Sequence, residues 1–373
     1  MTKVLFLHVE AGHGHKKAAE AVAKELQALN RTDMTCELTD TLVYTPDRFK
    51  NSYAKIYFWM VMKAPWLWGL SFYVTDFLLK FGIGRWLRSI WNGMNSSALK
   101  EYLIEQQFDY IIFTHFFAPQ VAGLLKQKGL IKSKLITIVT DVIPHRVWIN
   151  EGTDLYWGMS EETKTALIQN GISPEKIIVG GIPISKVFME SPDVNGLKAK
   201  FSIQTGRTTI LITSGSFGTG PTDQILEILK EWKEKMQVIV VCGKNKNLYD
   251  SLQSRKDLFS FPVYLYRFID NMHEMMSVSD LMFAKPGGIT MCESLAKRLP
   301  MIIMSPIPGQ ESFNANWLLS HQAAYQINSL ADIRPIMLEL MKNPEKLQTM
   351  KKSIDIIAKP FAAKDVVGYI LKN

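Results

Sequence analysis

Two stretches of the sequence share one pattern, in which a short apolar run leads into a glycine-rich turn and then into an amphipathic helix. The first comprises the run Val4–Val9, the turn AGHGH and the helical segment Lys16–Leu29, and the second begins with the run Thr209–Thr213 and the turn SGSFG. Apolar runs of this length are typical of strands buried on both faces of a parallel sheet, and the helices supply the crossovers between them. The pattern predicts an α/β protein with doubly wound sheets.

The same alternation continues through both halves of the chain and indicates two domains. Further strands are predicted at 110–113, 135–140 and 155–157, and at 238–241, 263–266, 281–284 and 301–304. The polar segment 186–208, which contains Pro192 and Gly196, is typical of a link between domains. We therefore expect an N-terminal domain over 1–185 and a C-terminal domain over 186–373. Two doubly wound domains that face a cleft would hold ligands at the carboxyl ends of their strands.

Composition excludes several classes of protein. The three cysteines, Cys36, Cys242 and Cys292, lie far apart without metal-binding spacing, so neither a disulfide framework nor structural zinc is expected. The opening run MTKVLFLHV is too short for a secretory signal, and the chain is expected to start within its first strand. The net charge of +8 suits nucleic acid, an anionic membrane surface or anionic small molecules. Because no nucleic-acid-binding module is recognised, we expect no nucleic-acid partner.

The segment 48–100 departs from the alternation and predicts a membrane-binding insertion. It holds five of the nine tryptophans and many lysines and arginines against a single acid, Asp76. Its longest uncharged stretch, 64–75, is shorter than the roughly 18–20 residues of a spanning helix. Tryptophans interleaved with cations suit the headgroup boundary of an anionic membrane. The residues expected to contact the membrane or a lipid acceptor are Trp59, Trp66, Trp68, Trp86, Arg85 and Arg88. The alternative is a helical insertion packed on the protein's own core.

Loops that follow predicted strands carry the groups of a candidate ligand site. Gly14 permits close approach of a ligand, and His15 lies near a helix start, where a neutral imidazole is favoured and can accept a proton. In the second half, loop amides and hydroxyls suit phosphate oxygens, Glu293 suits ribose hydroxyls, and the loop PIPGQESFN suits sugar hydroxyls. These second-half candidates are Ser214, Gly215, Ser216, Gly287, Gly288, Thr290, Glu293, Gln310, Glu311 and Asn314. The alternatives are histidines that cap the helix and a solvated acid at position 293.

The segments GHGHKKAAEAV, SDLMFAKPGGITMCESLAKRLPMI and PGQESFNANWL, in this order, resemble the glycosyltransferase family of the monogalactosyldiacylglycerol synthases and the bacterial processive diacylglycerol glucosyltransferases. They are more distantly similar to the enzyme that adds N-acetylglucosamine to lipid I. The resemblance spans nearly the whole chain. It implies a GT-B architecture of two Rossmann-like domains, with a UDP-sugar held mainly by the C-terminal domain and the acceptor held mainly by the N-terminal one. It also implies inversion at the anomeric carbon, no metal, and no cofactor besides the UDP-sugar co-substrate.

The resemblance assigns roles to single residues as well. It implies that His15 is the catalytic base, that Phe268 and Ile269 line the uracil, and that Glu293 binds the ribose. Gln310 and Glu311 match residues near the donor sugar, whereas His13 falls where relatives usually have glycine or another small residue. Asp141 follows a predicted strand and is an alternative base or an orienting group for the acceptor, and His115 and His145 are also near strand ends.

The predicted function is transfer of a hexose from a UDP-sugar to diacylglycerol or a glycosyldiacylglycerol. The enzyme is expected to be cytoplasmic and peripheral on the inner face of the cell membrane, where an anionic surface meets the basic insertion. One alternative is a transferase for another lipid or polyprenyl acceptor, and another is a non-catalytic regulator that senses UDP-sugars. The UDP-N-acetylglucosamine 2-epimerases have the same fold, but they give no reason for a basic aromatic insertion.

Overall fold

The computed structural model describes residues 1–10, 13–213, 215 and 220–373. The chain forms two compact units. Unit 1 comprises Met1–Lys186, Ile307–Asn314 and Lys359–Asn373, and unit 2 comprises Val187–Pro306 and Ala315–Ala358.

The strands form one parallel six-stranded sheet in each unit. Those of unit 1 are β1 (Thr2–His8), β2 (Met34–Asp40), β3 (Tyr110–Phe113), β4 (Lys134–Ile138), β5 (Leu155–Gly158) and β6 (Ile177–Val179). Those of unit 2 are β7 (Thr208–Thr213), β8 (Met236–Val241), β9 (Val263–Tyr266), β10 (Leu281–Ala284), β11 (Met301–Met304) and β12 (Ala324–Ile327). The predicted fold class, α/β with two Rossmann-like sheets, is confirmed.

The helices connect and flank these strands. In chain order they are α1 (His13–Gln27), α2 (Asp47–Lys63), α3 (Pro65–Leu79), α4 (Gly82–Met94), α5 (Ser97–Gln106), α6 (Phe117–Gln127), α7 (Glu161–Gln169), α8 (Val194–Lys200), α9 (Thr222–Leu229), α10 (Lys246–Ser254), α11 (Met272–Ser277), α12 (Gly288–Ala296), α13 (Gln310–Ser320), α14 (Ile333–Lys342), α15 (Pro344–Ile357) and α16 (Ala362–Lys372).

The apolar run of β1 is continuous because both of its faces are buried. Val4 and Phe6 pack in a cluster with residues of α1 and α16, while Leu5 and Leu7 pack in a second cluster with residues of α5 and α6. This two-sided burial is the usual state of a parallel strand covered by crossover helices. The sheet order is β2-β1-β3-β4-β5-β6, so the direction of winding reverses between β1 and β3. Ligands of such sheets bind at the carboxyl ends of the strands near this reversal.

Unit 2 is built in the same way, with the sheet order β12-β11-β10-β7-β8-β9 and the reversal between β7 and β10. Its core contains alternate residues of neighbouring strands, among them Ile210, Ile212, Val238 and Phe283. The carboxyl ends of β7 and β10 therefore lie side by side, at the end of the sheet where a ligand is expected.

Two segments return to unit 1 late in the chain, which differs from the simple division at 185 and 186 expected from the sequence. These segments are Ile307–Asn314 and Lys359–Asn373. The second contains α16, whose Val366 and Ile370 are buried in the same cluster as Val22 of α1. An amphipathic helix pattern predicts a buried face but not the sheet on which it packs. The position of both segments late in the chain therefore predicts that they belong to the C-terminal domain, and the structure differs.

The segment 48–100 folds into α2, α3, α4 and the start of α5. Over the described residues, none of the helices combines the length and the apolar character needed to cross a membrane.

Candidate active site

His15 is the third residue of α1, and its ring is held by residues that follow two other strands. Its Nδ1 lies 2.6 Å from the backbone oxygen of Thr114 and 3.1 Å from Oγ1 of Thr140. The hydroxyl of Thr114 donates a hydrogen bond of 2.8 Å back to the carbonyl of His15. Thr114 follows β3 directly, and Thr140 is the second residue after β4. The ring is therefore fixed at the carboxyl end of the sheet, beside the reversal of strand order.

These contacts determine which nitrogen of His15 carries the proton. A carbonyl oxygen can only accept a hydrogen bond, so Nδ1 must donate to Thr114 and Nε2 retains its lone pair. Burial lowers the pKa of His15 to about 4, although the Thr114 carbonyl acts in the opposite direction. At neutral pH the side chain is an uncharged imidazole whose free nitrogen can accept a proton.

His115 lies against His15, with ring centroids 4.8 Å apart in an edge-to-face arrangement. Its Nδ1 accepts the backbone N–H of Phe117 at 3.2 Å, so in the neutral ring the proton is on Nε2, 3.5 Å from the hydroxyl of Tyr53. Burial, with a further contribution from His15, holds the pKa of His115 well below its ordinary value. Because Nδ1 is occupied and Nε2 is protonated, His115 is placed to support His15 and not to accept a proton itself.

Asp141 follows Thr140 and has a different environment. The indole N–H of Trp148 donates to its Oδ2 at 3.3 Å, and burial raises the pKa of this carboxyl to about 6. A carboxylate with this pKa can still act as a base at neutral pH. Asp141 therefore stays a candidate base on chemical grounds alone.

His145, by contrast, has main-chain partners on both ring nitrogens. Nδ1 accepts from the backbone N–H of Val147 at 3.0 Å, and Nε2 donates to the carbonyl of Phe72 in α3 at 2.9 Å. The ring therefore connects α3 to the loop that follows β4, which is a structural role.

The two candidate bases, His15 and Asp141, line two different but adjoining cavities of unit 1. His15 and His115 line the smaller one, of about 230 Å³. Asp141 lines the larger one, of about 420 Å³. Four residues line both cavities and mark where they meet: Tyr53, Trp68, Phe116 and Gln310.

The segment around α13 brings a third group of predicted residues to unit 1. The side chain of Gln310 lines both cavities. Glu311 accepts the backbone N–H of Ile307 at 2.8 Å, and the buried Asn314 accepts the backbone N–H of Val142 at 3.1 Å. Glu311 and Asn314 thus hold backbone groups, whereas Gln310 faces space that a ligand can enter. Contact of all three with a donor sugar stays a prediction.

In unit 2 the predicted phosphate and ribose groups lie behind β10. Gly287 is the N-cap of α12, Gly288 and Thr290 lie in its first turn, and Glu293 is buried in its second turn. The unpaired amides and the dipole at such a helix start favour a phosphate. Gly215, with φ of 68°, lies in the neighbouring loop after β7, while Ser214 and Ser216 are outside the described residues.

Phe268 and Ile269 follow the edge strand β9. The ring of Phe268 is exposed and is free to stack on a base, whereas Ile269 is half-buried. Their contact with uracil stays a prediction. In unit 1, Gly14 is the second residue of α1, immediately before His15.

The insertion presents a large apolar surface and is not simply packed on the core. Trp66 is 70% exposed and Trp86 is 60% exposed. Further exposed side chains of α2, α3 and α4 include Ile56, Trp59, Met62, Leu70, Tyr73, Phe77, Leu78, Ile83, Leu87, Trp91 and Met94. Trp68 differs, because it lines both cavities and its ring lies 5.1 Å from that of Tyr57.

The two arginines of α4 also differ. Arg85 is exposed, as expected for a residue that meets lipid headgroups. The guanidinium of Arg88 instead donates to the carbonyls of Val147 and Ile149 at 2.8 and 3.1 Å. Arg88 shares its helix face with the buried Asn92, one turn later, so its side chain points toward the protein. Arg88 therefore holds the loop after β4, and its expected contact with the membrane or the acceptor stays a prediction.

The sequence patterns do not predict Tyr53, Thr114 and Thr140, which surround the two histidines. Thr114 and Thr140 are polar residues at the ends of predicted strands, and that position was a usable signal. Tyr53 lies within the insertion, and no local pattern connects it to His115. Among the described residues, no group of three or more histidine, cysteine, aspartate or glutamate side chains is arranged to hold a metal ion.

Comparison with known proteins identifies the family. The model of the monogalactosyldiacylglycerol (MGDG) synthase family matches residues 15–184, and that of the glycosyltransferase family 28 C-terminal domain matches residues 209–366. A processive diacylglycerol beta-glucosyltransferase of Bacillus subtilis strain 168 is 30% identical over 76% of this chain and 74% of its own length. The enzyme of the same name from Bacillus cytotoxicus is 29% identical over 100% of this chain and 94% of its own length.

Solved structures share the fold. MurG of Acinetobacter baumannii aligns over 100% of both chains with a TM-score of 0.63 and 16% identity. The UDP-GlcNAc 2-epimerase of Neisseria meningitidis, bound to UDP-GlcNAc, aligns over 100% of both chains with a TM-score of 0.64 and 17% identity. At these identities the likeness concerns the GT-B fold alone. The matched family model and the Bacillus relatives go further, and the chain belongs to the glycosyltransferase family of the monogalactosyldiacylglycerol synthases and processive diacylglycerol glucosyltransferases.

Proposed function

We propose that this chain is an inverting glycosyltransferase that moves a hexose from a UDP-sugar to diacylglycerol or to a glycosyldiacylglycerol. The observation that carries the proposal is the neutral His15, which lines a cavity of unit 1. Its Nδ1 donates to the Thr114 carbonyl, and its Nε2 has no hydrogen-bond partner among the described residues. The names of the Bacillus relatives support diacylglycerol as the acceptor. A fold neighbour bound to UDP-GlcNAc supports a nucleotide-sugar as the donor.

In the proposed reaction, Nε2 of His15 takes the proton of the lipid hydroxyl while the oxygen attacks the anomeric carbon of the donor sugar. The bond between that carbon and the diphosphate oxygen breaks, and UDP leaves with the electron pair. Attack opposite to the leaving group inverts the anomeric configuration. General-base catalysis of this kind contributes roughly 10² to 10⁴ in rate, so His15→Ala is expected to lose about this factor while UDP binding is retained.

Negative charge develops on the diphosphate as UDP departs, and nearby positive electrostatic potential stabilises it. We assign this role to the start of α12, at Gly287 and Gly288, with the Thr290 hydroxyl and the loop that contains Ser214 and Ser216. Glu293 is the proposed ribose ligand, and Phe268 with Ile269 is the proposed uracil contact. Because these groups supply the stabilisation, we propose that the UDP-sugar is a co-substrate and that no metal or further cofactor takes part.

We also propose that the enzyme works as a peripheral protein on the inner face of the cell membrane. The exposed apolar side chains of α2, α3 and α4, together with Arg85 and nearby lysines, suit the headgroup boundary of an anionic bilayer. Replacing Trp66 and Trp86 with serine should weaken liposome binding at least tenfold. Full burial of one large apolar side chain contributes roughly 1.5–3 kcal/mol, and a factor of ten corresponds to about 1.4 kcal/mol.

A matched control for this test is Ile356→Ser, which changes an exposed apolar residue of unit 2 outside the insertion. Sedimentation with anionic vesicles measures the partition of each variant. Equal binding by the tryptophan variant and the wild type would exclude the insertion as the membrane contact.

The decisive assay incubates the purified protein with anionic liposomes that contain diacylglycerol and, in turn, UDP-glucose, UDP-galactose or UDP-N-acetylglucosamine. UDP release and lipid products are measured together. One glycolipid from one donor would establish the reaction, the donor and the acceptor. UDP binding without any product would favour a polyprenyl or other lipid acceptor, and such acceptors are tested next. If none of them is glycosylated, the remaining function is that of a UDP-sugar-sensing regulator.

A further inference from the structure

We infer that the larger cavity of unit 1 holds one acyl chain of the acceptor lipid, which is drawn out of the bilayer so that the glycerol end reaches His15. This inference rests on the proposed function and adds the location of the lipid. The cavity has a volume of about 420 Å³, within the range of roughly 300–1,000 Å³ that is usual for small-ligand sites.

Much of the wall of this cavity offers hydrocarbon, because several of its polar side chains are hydrogen-bonded within the protein. The guanidinium of Arg88 donates to main-chain carbonyls, and both ring nitrogens of His145 are occupied. The hydroxyls of Ser71 and Thr75 donate to carbonyls of the preceding turn of α3 at 2.8 and 2.7 Å. The remaining lining includes Phe72, Leu79 and Trp148. An occupant that needs no hydrogen bonds fits such a wall best.

The mouth of the cavity lies on the apolar surface of the insertion. Leu78 and Leu87 line the cavity and are also 46% and 55% exposed. Their neighbours Phe77, Ile83 and Trp86 are exposed as well. If this surface meets the bilayer, an acyl chain passes from lipid to protein without crossing water, and the hydrophobic cost of leaving the membrane is avoided.

The inner end of the cavity adjoins the catalytic histidine. The larger cavity shares Tyr53, Trp68, Phe116 and Gln310 with the smaller cavity that contains His15. A lipid with one chain in the larger cavity therefore has its glycerol at this junction, and its free hydroxyl enters the smaller cavity. The second chain stays with the membrane-facing surface.

The test compares Leu79→Trp, which fills the cavity, with Leu70→Trp on the same helix. Leu70 is exposed and is not among the described residues that line either cavity. Both changes add one indole to α3, and sedimentation with vesicles measures the membrane binding of each variant. kcat/KM is measured for dihexanoylglycerol and for dioleoylglycerol in the same vesicles, with the donor that the wild type uses.

For Leu79→Trp we expect kcat/KM to fall ~10- to 100-fold with dioleoylglycerol, since each methylene kept out of an apolar site costs about a factor of four. With dihexanoylglycerol the fall should be smaller, since a hexanoyl chain has fewer methylenes to lose from the cavity, and Leu70→Trp should affect the two lipids equally. An equal loss with both lipids in Leu79→Trp would overturn the inference. If the wild type makes no glycolipid from either lipid, the proposed function fails instead.

A second measurement uses the unaltered protein and needs neither folding of a variant nor turnover. Vesicles containing diacylglycerol with a photoactivatable diazirine at the end of one acyl chain are irradiated with the protein, and cross-linked peptides are mapped. Labelling of Val147 or Trp148, which line the cavity behind α3, supports the inference. Labelling confined to exposed residues such as Phe77 and Trp86 would show that both chains stay in the bilayer.

Discussion

The pH dependence of turnover distinguishes the two candidate bases, because burial moves their pKa values in opposite directions. The pKa of His15 is lowered to about 4, and that of Asp141 is raised to about 6. A general base acts only when it is deprotonated, so activity is lost as the pH falls through the pKa of the true base. The interval between pH 4 and pH 6 is therefore where the two mechanisms differ.

The difference is largest near pH 5. With His15 as the base, about 90% of the group is deprotonated at this pH and kcat/KM should remain near its plateau. With Asp141 as the base, only about 10% is deprotonated and kcat/KM should be close to tenfold lower. Since His15 lines the smaller cavity as a neutral imidazole, we expect the first result.

The assay measures initial rates of UDP release from pH 4 to 8 at constant ionic strength, and kcat/KM is used because it reports the ionisation of the free enzyme. Near-UV circular dichroism at each pH checks that the protein stays folded. Asp141→Asn is the control, since an amide oxygen can still accept the Trp148 N–H. An acid limb near pH 6, together with a loss of turnover of roughly 10² or more in Asp141→Asn, would refute His15 as the base.

Three further predictions concern stability. Asp141→Asn should raise the free energy of unfolding at pH 8 by on the order of 2–3 kcal/mol and change it little at pH 3. The reason is that a carboxyl with a raised pKa destabilises the fold only at a pH where it is ionised. Denaturant titrations at both pH values measure the difference. Gly309→Ala should lower the free energy of unfolding by ~1–3 kcal/mol, since Gly309 has φ of 91° and a Cβ would lie 2.8 Å from the Phe72 ring. The control is Gly129→Ala, because Gly129 also has a positive φ, of 70°, but a Cβ there would meet open space, so the difference between the two variants measures the clash. Arg88→Met should lower the free energy of unfolding by ~1–3 kcal/mol, because it leaves the carbonyls of Val147 and Ile149 without their donor. Thermal unfolding measures this, and an unchanged stability would mean that these bonds contribute nothing.

The strands in the middle of each sheet could be predicted from the sequence, whereas most edge strands could not. β3, β9, β10 and β11 have the predicted bounds. The strands that were missed, β2, β6 and β12, all lie at sheet edges. An edge strand has only one strand neighbour and is less fully covered, so its sequence need not be apolar throughout. The MTCELTD sequence of β2, with residues that alternate between half-buried and exposed at its start, illustrates this.

The place of the site was predictable, but its hydrogen bonds were not. The rule that ligands bind at carboxyl ends of parallel strands located His15, Asp141 and the Gly287 turn from the sequence. The partner of His15 is Thr114, which is 99 residues away, and no local pattern relates them. The direction of Arg88 was likewise hidden, because a basic residue near tryptophans is compatible with either face of an amphipathic helix.

Helix α3 explains why a short stretch of α13 belongs to unit 1 although the strand before it belongs to unit 2. A Cβ added at Gly69 of α3 would lie 2.8 Å from Cβ of Pro308, and Phe72 occupies the space beside Gly309 that a side chain would need. Backbone and ring therefore meet at a distance that only glycine allows. Gln310 follows directly and lines both cavities. Its position consequently depends on the same helix that carries exposed side chains such as Phe77, so a change at Gly69 or Phe72 should alter the junction of the two cavities.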